Sequence, residues 1–272
     1  MKPRPNIGAG VAATVWLIII AVPLLVMFSA TFQTRGALSE NGLLSLPTTF
    51  TFDHYLAALS FGFVQQLGNT IIVTACVVGL VLVLVPALSF AIVRSTSKTV
   101  SLVFRIFLLG LAIPAQAVII PIFYMISSMG LYDNLIGVIL PTAAFALPLC
   151  TLIITGSMRD ITSDLYEAMA LDGAGAIKTF VRLVLPLSKG GIATAAIFAA
   201  LQAWNGFLFP LILTQSEATR VIPLGLFNFQ TQFGINVPGM LAAVTLSMLP
   251  LLLVYLFARR ALVQGVMGMG GK

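Results

Sequence analysis

Residues 68–93 read GNTIIVTACVVGLVLVLVPALSFAIV and contain no Asp, Glu, Lys, Arg or His. A run of about 20 apolar residues is long enough for an α-helix to cross the hydrocarbon core of a bilayer. The same pattern recurs outward from this stretch, and six segments qualify as spans: residues 9–31, 68–93, 106–129, 135–157, 190–213 and 238–258. The sequence therefore predicts an all-α, polytopic membrane protein with a single transmembrane domain over residues 1–272.

The composition of the whole chain agrees with this prediction. Of its 272 residues, 59% are hydrophobic and 8% are charged, whereas about 25% of the residues in a soluble domain are charged. The apolar core of the first span is longer than that of a cleavable signal peptide. The residues after it also lack the small residues of a cleavage site. One histidine and two cysteines leave too few ligands for a structural metal site. We expect His54 to be a surface residue without chemistry.

The basic residues predict the orientation of the chain. If the N-terminus is cytoplasmic, every Lys and Arg except Arg35 and Arg220 falls on the cytoplasmic side. This distribution is the one expected from the excess of basic residues in cytoplasmic loops. We therefore expect six spans in the bacterial plasma (inner) membrane, with both termini in the cytoplasm.

The six predicted spans contain no ionisable Asp, Glu, Lys, Arg or His. Proton-coupled carriers keep such groups as relays, and an intramembrane hydrolase needs a convergent acid–base set. A secondary carrier and a membrane-embedded enzyme are therefore disfavoured alternatives. The chain also lacks the G-x-x-x-x-G-K-[ST] pattern of a phosphate-binding loop, so any ATP must bind another chain.

Residues 158–189, between the fourth and fifth spans, form a cytoplasmic segment too long for a simple connection. Asp164 and, three residues later, Glu167 are typical of a capping box that opens a helix. Asp172 and Gly173 are suited to end that helix, because glycine readily takes the left-handed conformation.

A second helix is predicted after this turn. Its apolar residues recur at the spacing of one helix face, and they are Ile177, Phe180, Val181, Val184 and Leu185. Lys178, Arg182 and Lys189 line a neighbouring stripe from which they reach lipid headgroups. Pro186 marks the bend into the fifth span.

The same segment resembles the EAA motif of bacterial ABC importer permeases. Glu167-Ala168-Met169 is followed by three residues, Gly173, nine residues and Leu183-Val184-Leu185-Pro186. The motif has a second Ala where this chain has Met169, and Ile where it has Leu183. The Met169 side chain is bulkier than Ala and alters the surface of the motif.

Other stretches are similar to the carbohydrate-uptake branch of these importers, in particular to the shorter maltose-type permease. They are residues 47–55, Asn69-Thr70, Met129-Gly130-Leu131-Tyr132-Asp133, Trp204-Asn205-Gly206-Phe207-Leu208-Phe209-Pro210 and the Gly-rich tail 265–272. The resemblance covers nearly the whole chain. It implies the type I importer permease fold with six transmembrane helices.

The resemblance implies that residues 158–189 dock on a cytoplasmic ATPase. The residues carried over to this coupling role are Glu167, Ala168, Met169, Asp172, Gly173, Leu185 and Pro186. The alternative is that Glu167 only completes a helix cap with Asp164. The chain itself would hold no cofactor and no catalytic residue, because ATP and Mg would bind to the partner ATPase subunits.

The resemblance also implies further partners and two further candidate sites. The partners are a second permease in a heterodimer, two ABC ATPase subunits, an extracytoplasmic solute-binding protein and the lipid bilayer, with no nucleic acid. Trp204, Asn205 and Phe207 are candidates for the translocation path, and interhelical packing is the alternative. Gln230 and Gln232, in the external loop 214–237, are candidates for contact with the binding protein, and a solvated connector is the alternative.

These observations together predict an ATP-driven importer of a sugar or related polar solute. The chain would couple ATP hydrolysis in its partners to alternating access. A different cargo, such as a glycerophosphate derivative or a polyol, is the nearest alternative, and a secondary carrier is a more distant one.

Overall fold

The structure is a computed structural model. It describes the backbone of residues 7–45, 47, 50–231 and 234–270, and the side chains of these residues except 61, 230, 231 and 257–270. Among these residues the chain is helical almost throughout, with one two-stranded hairpin.

The described part of the chain contains fourteen α-helices and one short hairpin. The helices are α1 Ile7–Ala30, α2 Arg35–Asn41, α3 Asp53–Ala58, α4 Val64–Arg94, α5 Lys98–Leu108, α6 Ile119–Ser128, α7 Leu135–Arg159, α8 Ser163–Leu171, α9 Ala176–Thr179, α10 Leu185–Leu187, α11 Lys189–Trp204, α12 Leu208–Leu213, α13 Ile222–Gly225 and α14 Val237–Gly270. Strand β1, Gln230–Thr231, pairs antiparallel with β2, Gly234–Ile235. Short 3₁₀ and π turns lie between several helices.

Four of the described helices are each long and apolar enough to cross a membrane. They are Ile7–Ala30, Val64–Arg94, Leu135–Arg159 and Val237–Leu256. Two bent pairs satisfy the same criteria together, Lys98–Ala112 with Ala115–Ser128 and Ala176–Leu187 with Lys189–Trp204. The chain therefore has up to six spans if each bent pair counts as one.

The third predicted span, residues 106–129, is not one straight helix. The chain turns by 94° between Lys98–Ala112 and Ala115–Ser128. Ile113 at the bend is extended, with φ −85° and ψ 111°, and Pro114 follows it. Proline disfavours helical backbone at the residue before it and donates no hydrogen bond of its own, which explains a break at this position. By contrast, α1, α4, α7 and α14 continue through their internal prolines.

The fifth predicted span, residues 190–213, is interrupted as well. Helix α11 ends at Trp204, and α12 begins at Leu208 after a short break that contains Gly206. At its other end α11 makes a 75° bend with Ala176–Leu187. The sequence gives the apolar length of this span correctly but not its break.

The chain divides into two compact units, and the larger one contains Gln65–Leu224. Its core runs through α4, α7 and α11. Along α4 five of the buried residues are spaced four apart and form one stripe: Val73, Val77, Val81, Val85 and Ser89. Helices α7 and α11 approach closely at Gly191, where a Cβ atom would lie 2.4 Å from Cβ of Ser157. A small residue at this point lets the two backbones pack together.

The smaller unit contains the residues up to Val64 together with Gly225–Leu251. After α1 the chain packs around the Phe32 ring, which contacts the rings of Phe28, Phe50, Phe52 and Tyr55. Gln33 donates to the Ser45 carbonyl at 2.6 Å. His54 is half-buried rather than on the surface as expected, because its Nε2 lies 2.9 Å from the carbonyl oxygen of Gln33.

Candidate functional site

Helix α8, Ser163–Leu171, carries the first part of the candidate coupling segment. Its N-cap is Thr162, which makes no capping hydrogen bond through its side chain. Asp164 lies inside the first turn, where its carboxylate lies 3.4 Å from the Ser163 hydroxyl. The predicted capping box of Asp164 and Glu167 is therefore wrong, because the helix begins two residues too early for Asp164 to cap it. An acid in the first turn still interacts favourably with the helix dipole.

The end of α8 is the one that the sequence predicts. Gly173 has φ +66°, in the left-handed region that glycine adopts without a steric penalty. Its N–H donates to the Ala170 carbonyl at 3.0 Å, and the Ala174 N–H donates to the Met169 carbonyl at 2.9 Å. These two bonds form a Schellman motif, which satisfies carbonyls at the helix end. Gly173 therefore fixes the turn from α8 into α9.

One face of α8 is exposed to solvent in this chain. Glu167, Ala168 and Asp172 are exposed, and Met169 is half-buried. Leu171 is 89% exposed, although a leucine of this size gains about 1.5–3 kcal/mol when it is fully buried. The end of the helix thus presents a small apolar surface beside the acidic Glu167 and Asp172.

The opposite face of α8 is anchored to α4. Tyr166 is 8% exposed, and the guanidinium carbon of Arg94 lies 4.5 Å from the centroid of its ring. A cation at this distance over an aromatic face is attracted by the ring electrons. Burial raises the pKa of Tyr166, and the positive charge of Arg94 partly opposes that rise. One turn earlier on α4, Phe90 contacts Phe180, with ring centroids 5.2 Å apart.

The second part of the candidate coupling segment is a helix with a π turn. The π turn spans Phe180–Val184, between α9 and α10. Val184 is buried, whereas Ile177 is 81% exposed and Val181 is 52% exposed. The predicted apolar face is thus only partly covered by the rest of the chain, and a π turn interrupts the α-helical register that the sequence predicts. Leu185 is half-buried and Pro186 is exposed.

The candidate path residues lie at the break between α11 and α12. Trp204 is the last residue of α11 and is buried, whereas Asn205 is exposed. The Asn205 amide donates to the Leu201 carbonyl of its own helix at 2.9 Å, so its partner is not on a neighbouring helix. Phe207 is 37% exposed. Asn205 and Phe207 are therefore exposed at the surface of this chain, and Trp204 is not.

At its Asn69 end, α4 contacts residues 218–222. The Asn69 amide donates to the carbonyls of Ala218 and Arg220, both at 2.8 Å. The Thr70 hydroxyl accepts from the Ile222 N–H at 3.0 Å. The long sequence separation between these partners is why periodicity alone could not pair them.

Asp133 holds the beginning of the same segment. Its carboxylate accepts from the backbone N–H groups of Gln215 and Ser216 and from the Thr219 hydroxyl. These bonds, led by the one from Gln215, hold the pKa of Asp133 well below its usual range. Asp133 has φ +55°, a conformation that aspartate tolerates better than most residues. We call residues 214–222, which Asn69, Thr70 and Asp133 hold, the clamped segment.

The candidates for contact with the binding protein lie further along the loop. Gln230 belongs to β1, but its side chain is outside the described residues, and Gln232 lies outside them entirely. Around them, the Asn236 N–H donates to the Phe229 carbonyl at 2.9 Å. The tail predicted at 265–272 likewise has no described side chains, and its last two residues lie outside the described backbone.

Neither a metal site nor a disulfide emerges from the described residues. They contain no group of three or more His, Cys, Asp or Glu that could hold a metal ion. Cys76 and Cys150 are both free, and Cys150 is buried.

A comparison with protein families decides the identity of the fold. The sequence profile described as "Binding-protein-dependent transport system inner membrane component" matches residues 79–268. The chain belongs to this family. The matched part of the permease includes the whole of residues 158–189 and the break at Asn205. The family match and the helical structure together confirm the predicted fold class.

Two relatives agree with this assignment. The permease is 32% identical to the putative ABC transporter permease protein ORF2 of Caldicellulosiruptor sp. (strain Rt8B.4), over 93% of this chain and 92% of the relative. It is 30% identical to the diacetylchitobiose uptake system permease protein NgcG of Streptomyces coelicolor, over 90% of this chain and 82% of the relative.

A solved structure has the same fold as the permease. It is the crystal structure of a bacterial ABC transporter involved in the import of the acidic polysaccharide alginate. The match has a TM-score of 0.79 and 21% identity, and it covers 96% of this chain and 99% of that one. This match shows that the two chains share a fold, whereas the family match over residues 79–268 identifies the permease as an inner-membrane transport component.

Proposed function

We propose that the permease is one half of the translocation pathway of an ATP-driven importer, and that its cargo is a sugar. The family match over residues 79–268 carries the importer assignment. The sugar cargo is supported by the resemblance to the carbohydrate branch and by the named cargo of the Streptomyces relative, diacetylchitobiose. The chain then needs a second permease, two ATPase subunits and a solute-binding protein.

The residues 158–189 form the contact with the ATPase. The geometry of α8 supports this role, because Glu167, Ala168 and Leu171 are exposed while Tyr166 is buried against the body of the chain. Glu167 and Asp172 would face basic residues of the ATPase, Ala168 would permit close approach, and Leu171 would be buried there. Met169, Gly173, Leu185 and Pro186 shape the segment around this surface. ATP and Mg bind to the ATPase subunits and not to this chain.

The orientation follows from the same contact. If α8 meets a cytoplasmic ATPase, the Arg94 end of α4 is cytoplasmic and the clamped segment is extracytoplasmic. The basic residues support this assignment, and both termini are then in the cytoplasm. Gln230 and Gln232 are the residues that we propose for contact with the binding protein.

The path for the cargo passes the break between α11 and α12. Sugars present hydroxyl groups and apolar C–H faces. An exposed amide at Asn205 and an exposed ring at Phe207 match these two features. Trp204 is buried in this chain and is the last residue before the break.

Purification of the complex through this chain tests the importer assignment. Mass spectrometry is expected to identify an ATPase, a second permease and, after cross-linking, a binding protein. Glu167→Arg and Leu171→Asp are expected to weaken retention of the ATPase by more than about tenfold, because each places an unpaired charge in the contact. Glu40→Arg is a matched charge reversal on exposed α2 and should retain the ATPase.

The cargo is tested with the reconstituted complex. Binding protein loaded with a mono- or oligosaccharide is expected to stimulate ATP hydrolysis and uptake into proteoliposomes. A purified complex without any ATPase would contradict the importer assignment. Stimulation by a glycerophosphate derivative or a polyol, and by no sugar, would contradict only the sugar cargo.

A further inference from the structure

Helix α4 makes two aromatic contacts with residues 158–189, and both are at its Arg94 end. Phe90 contacts Phe180 at 5.2 Å, and Arg94 lies 4.5 Å from the Tyr166 ring. Residues four apart lie on the same face of a helix. One face of α4 therefore holds both halves of the segment, α8 through Tyr166 and the π turn through Phe180.

Between its two ends, α4 is packed against its neighbours along one stripe of buried side chains. Every fourth residue from Val73 to Val85 is at most 3% exposed, and Ser89 continues the same buried stripe. Close packing of branched side chains makes such an interior resistant to deformation. From Asn69 to Arg94 the helix rises about 38 Å, which is more than the thickness of a hydrocarbon core.

The other end of α4 is fixed to the clamped segment. Asn69 holds the carbonyls of Ala218 and Arg220, and Thr70 holds the Ile222 N–H. These bonds involve buried or half-buried groups, and their loss leaves polar groups unpaired. A displacement of α4 along or across its axis must therefore displace residues 218–222 or break these bonds.

We propose that α4 is the element that connects α8 to the clamped segment, and that Arg94 and Tyr166 are positioning residues for the coupled reaction. The inference rests on the proposed function, because it takes α8 to be the ATPase contact. Movement of α8 by the ATPase passes through the Arg94–Tyr166 and Phe90–Phe180 contacts to α4. The Asn69 and Thr70 bonds then pass it to residues 214–222. An occupied binding protein acts on the same elements in reverse, since coupling between two sites is reciprocal.

Four substitutions at the Arg94–Tyr166 contact test the charge of Arg94, the ring of Tyr166 and the hydroxyl of Tyr166 separately. Tyr166→Phe keeps the ring and removes a hydroxyl that has no hydrogen-bond partner among the described residues. Tyr166→Leu removes the ring. Arg94→Lys keeps a cation at an exposed position, and Arg94→Met removes it without leaving a cavity. Tyr166→Phe and Arg94→Lys are thus the matched controls for Tyr166→Leu and Arg94→Met.

The first measurement is ATP hydrolysis by the purified complex with and without loaded binding protein. Tyr166→Leu and Arg94→Met are expected to retain the ATPase and to lower the stimulation roughly tenfold, a coupling loss of ordinary size. The two control variants should keep most of the stimulation. If Tyr166→Leu fails to insert, Arg94→Met still provides the measurement.

The second measurement follows the clamped segment itself. Ala218→Cys, in a Cys76→Ala background, is labelled with a membrane-impermeant thiol reagent with and without ATP and Mg. The labelling rate is expected to depend on ATP when Tyr166 is present. It should lose that dependence in Tyr166→Leu, while ATP hydrolysis continues.

The outcomes distinguish the two proposals. Stimulation of Tyr166→Leu within about twofold of the unsubstituted complex, or unchanged ATP-dependent labelling, would overturn the role of α4. If Glu167→Arg then still loses the ATPase, the proposed function stands. If Glu167→Arg keeps the ATPase fully bound, α8 is not the contact, so this inference fails together with the coupling role proposed for residues 158–189, whereas the importer assignment stands.

Discussion

The carboxylate of Asp133 accepts a hydrogen bond from the backbone N–H of Gln215 at 2.8 Å, across 82 positions of the sequence. The same oxygen accepts from the Ser216 N–H at 3.0 Å and from the Thr219 hydroxyl at 2.5 Å. A carboxylate with several donors is stabilised in its charged form. Asp133 therefore joins the turn before α7 to the clamped segment after α12.

We expect Asp133→Asn to lower the thermal stability of the purified complex. The amide oxygen can accept fewer and weaker bonds than the carboxylate, because charged acceptors form the stronger hydrogen bonds. Thermal unfolding in detergent at pH 7 measures the loss. Glu40→Gln, an exposed acid on α2, is the control that should not change it.

The effect of Asp133 depends on pH with a definite sign. Because the pKa of Asp133 is lower in the folded chain than its ordinary value, its stabilisation is fully present above the unfolded pKa of about 3.9. It is lost as the pH falls through the folded value. The difference between the original chain and Asp133→Asn should thus be constant from pH 7 to about pH 5 and narrow below about pH 4. An unchanged difference at about pH 3.5, just below the unfolded pKa, would show that charge is not the cause.

Thr70→Val tests the other support of the clamped segment. The valine side chain has nearly the same shape, but it leaves the buried Ile222 N–H without its acceptor. An unpaired buried donor costs about 1–3 kcal/mol. Chemical or thermal unfolding of the complex measures this loss, and ATP-dependent labelling at residue 218 should weaken with it.

Thr74→Val is the matched control for Thr70→Val. Thr74 lies one turn further along α4, and its buried hydroxyl has no partner within the described part of the chain. Its removal should therefore be neutral or stabilising. Equal losses of stability in the two variants would mean that the Thr70 hydroxyl has no special role.

Gly191→Ala tests the contact between α7 and α11. The added Cβ would lie 2.4 Å from Cβ of Ser157, so the two helices must separate. Overpacking of this kind costs about 1–3 kcal/mol. The measurement is the melting temperature of the complex, and Gly156→Ala is the control, because no atom of the chain lies within 4 Å of a Cβ there. A loss in both variants alike would instead indicate a general intolerance of alanine in these helices.

The sequence predicts the spans well because apolar length is a local property. Helix α4 covers Val64–Arg94, where the sequence predicts a span over 68–93. The breaks in the helices are harder to predict from the sequence, since Pro114 interrupts its helix while Pro86 and Pro141 do not. A proline is tolerated in a helix where neighbouring groups satisfy the carbonyl that it frees. Those neighbours are set by tertiary packing.

The candidate coupling segment shows the same limit. Gly173 was identifiable because a left-handed helix end strongly favours glycine. The π turn at Phe180–Val184 was not, because one inserted residue leaves no mark in the composition and changes which side chains are buried. The contacts of Tyr166 with Arg94 and of Asp133 with Gln215 join distant parts of the chain, so only the structure brings them together.

Gly173→Ala tests the turn that orients α8, and the chain supplies an internal control two residues away. Both Gly173 and Gly175 have open space around a would-be Cβ, but Gly173 has φ +66° whereas Gly175 has φ −71°. Alanine in the left-handed conformation costs about 1–2 kcal/mol. Gly173→Ala should therefore weaken binding of the ATPase by roughly tenfold if the turn relaxes, while Gly175→Ala should not.

An asparagine at the same position sharpens the test. Asn adopts the left-handed conformation more readily than Ala, so Gly173→Asn should bind the ATPase with an affinity between that of Gly173→Ala and that of the original chain. Titration of the purified ATPase onto the permease in nanodiscs measures all three. If Gly175→Ala weakens binding as much as Gly173→Ala, the backbone conformation is not what matters, and the added methyl groups themselves interfere with the contact.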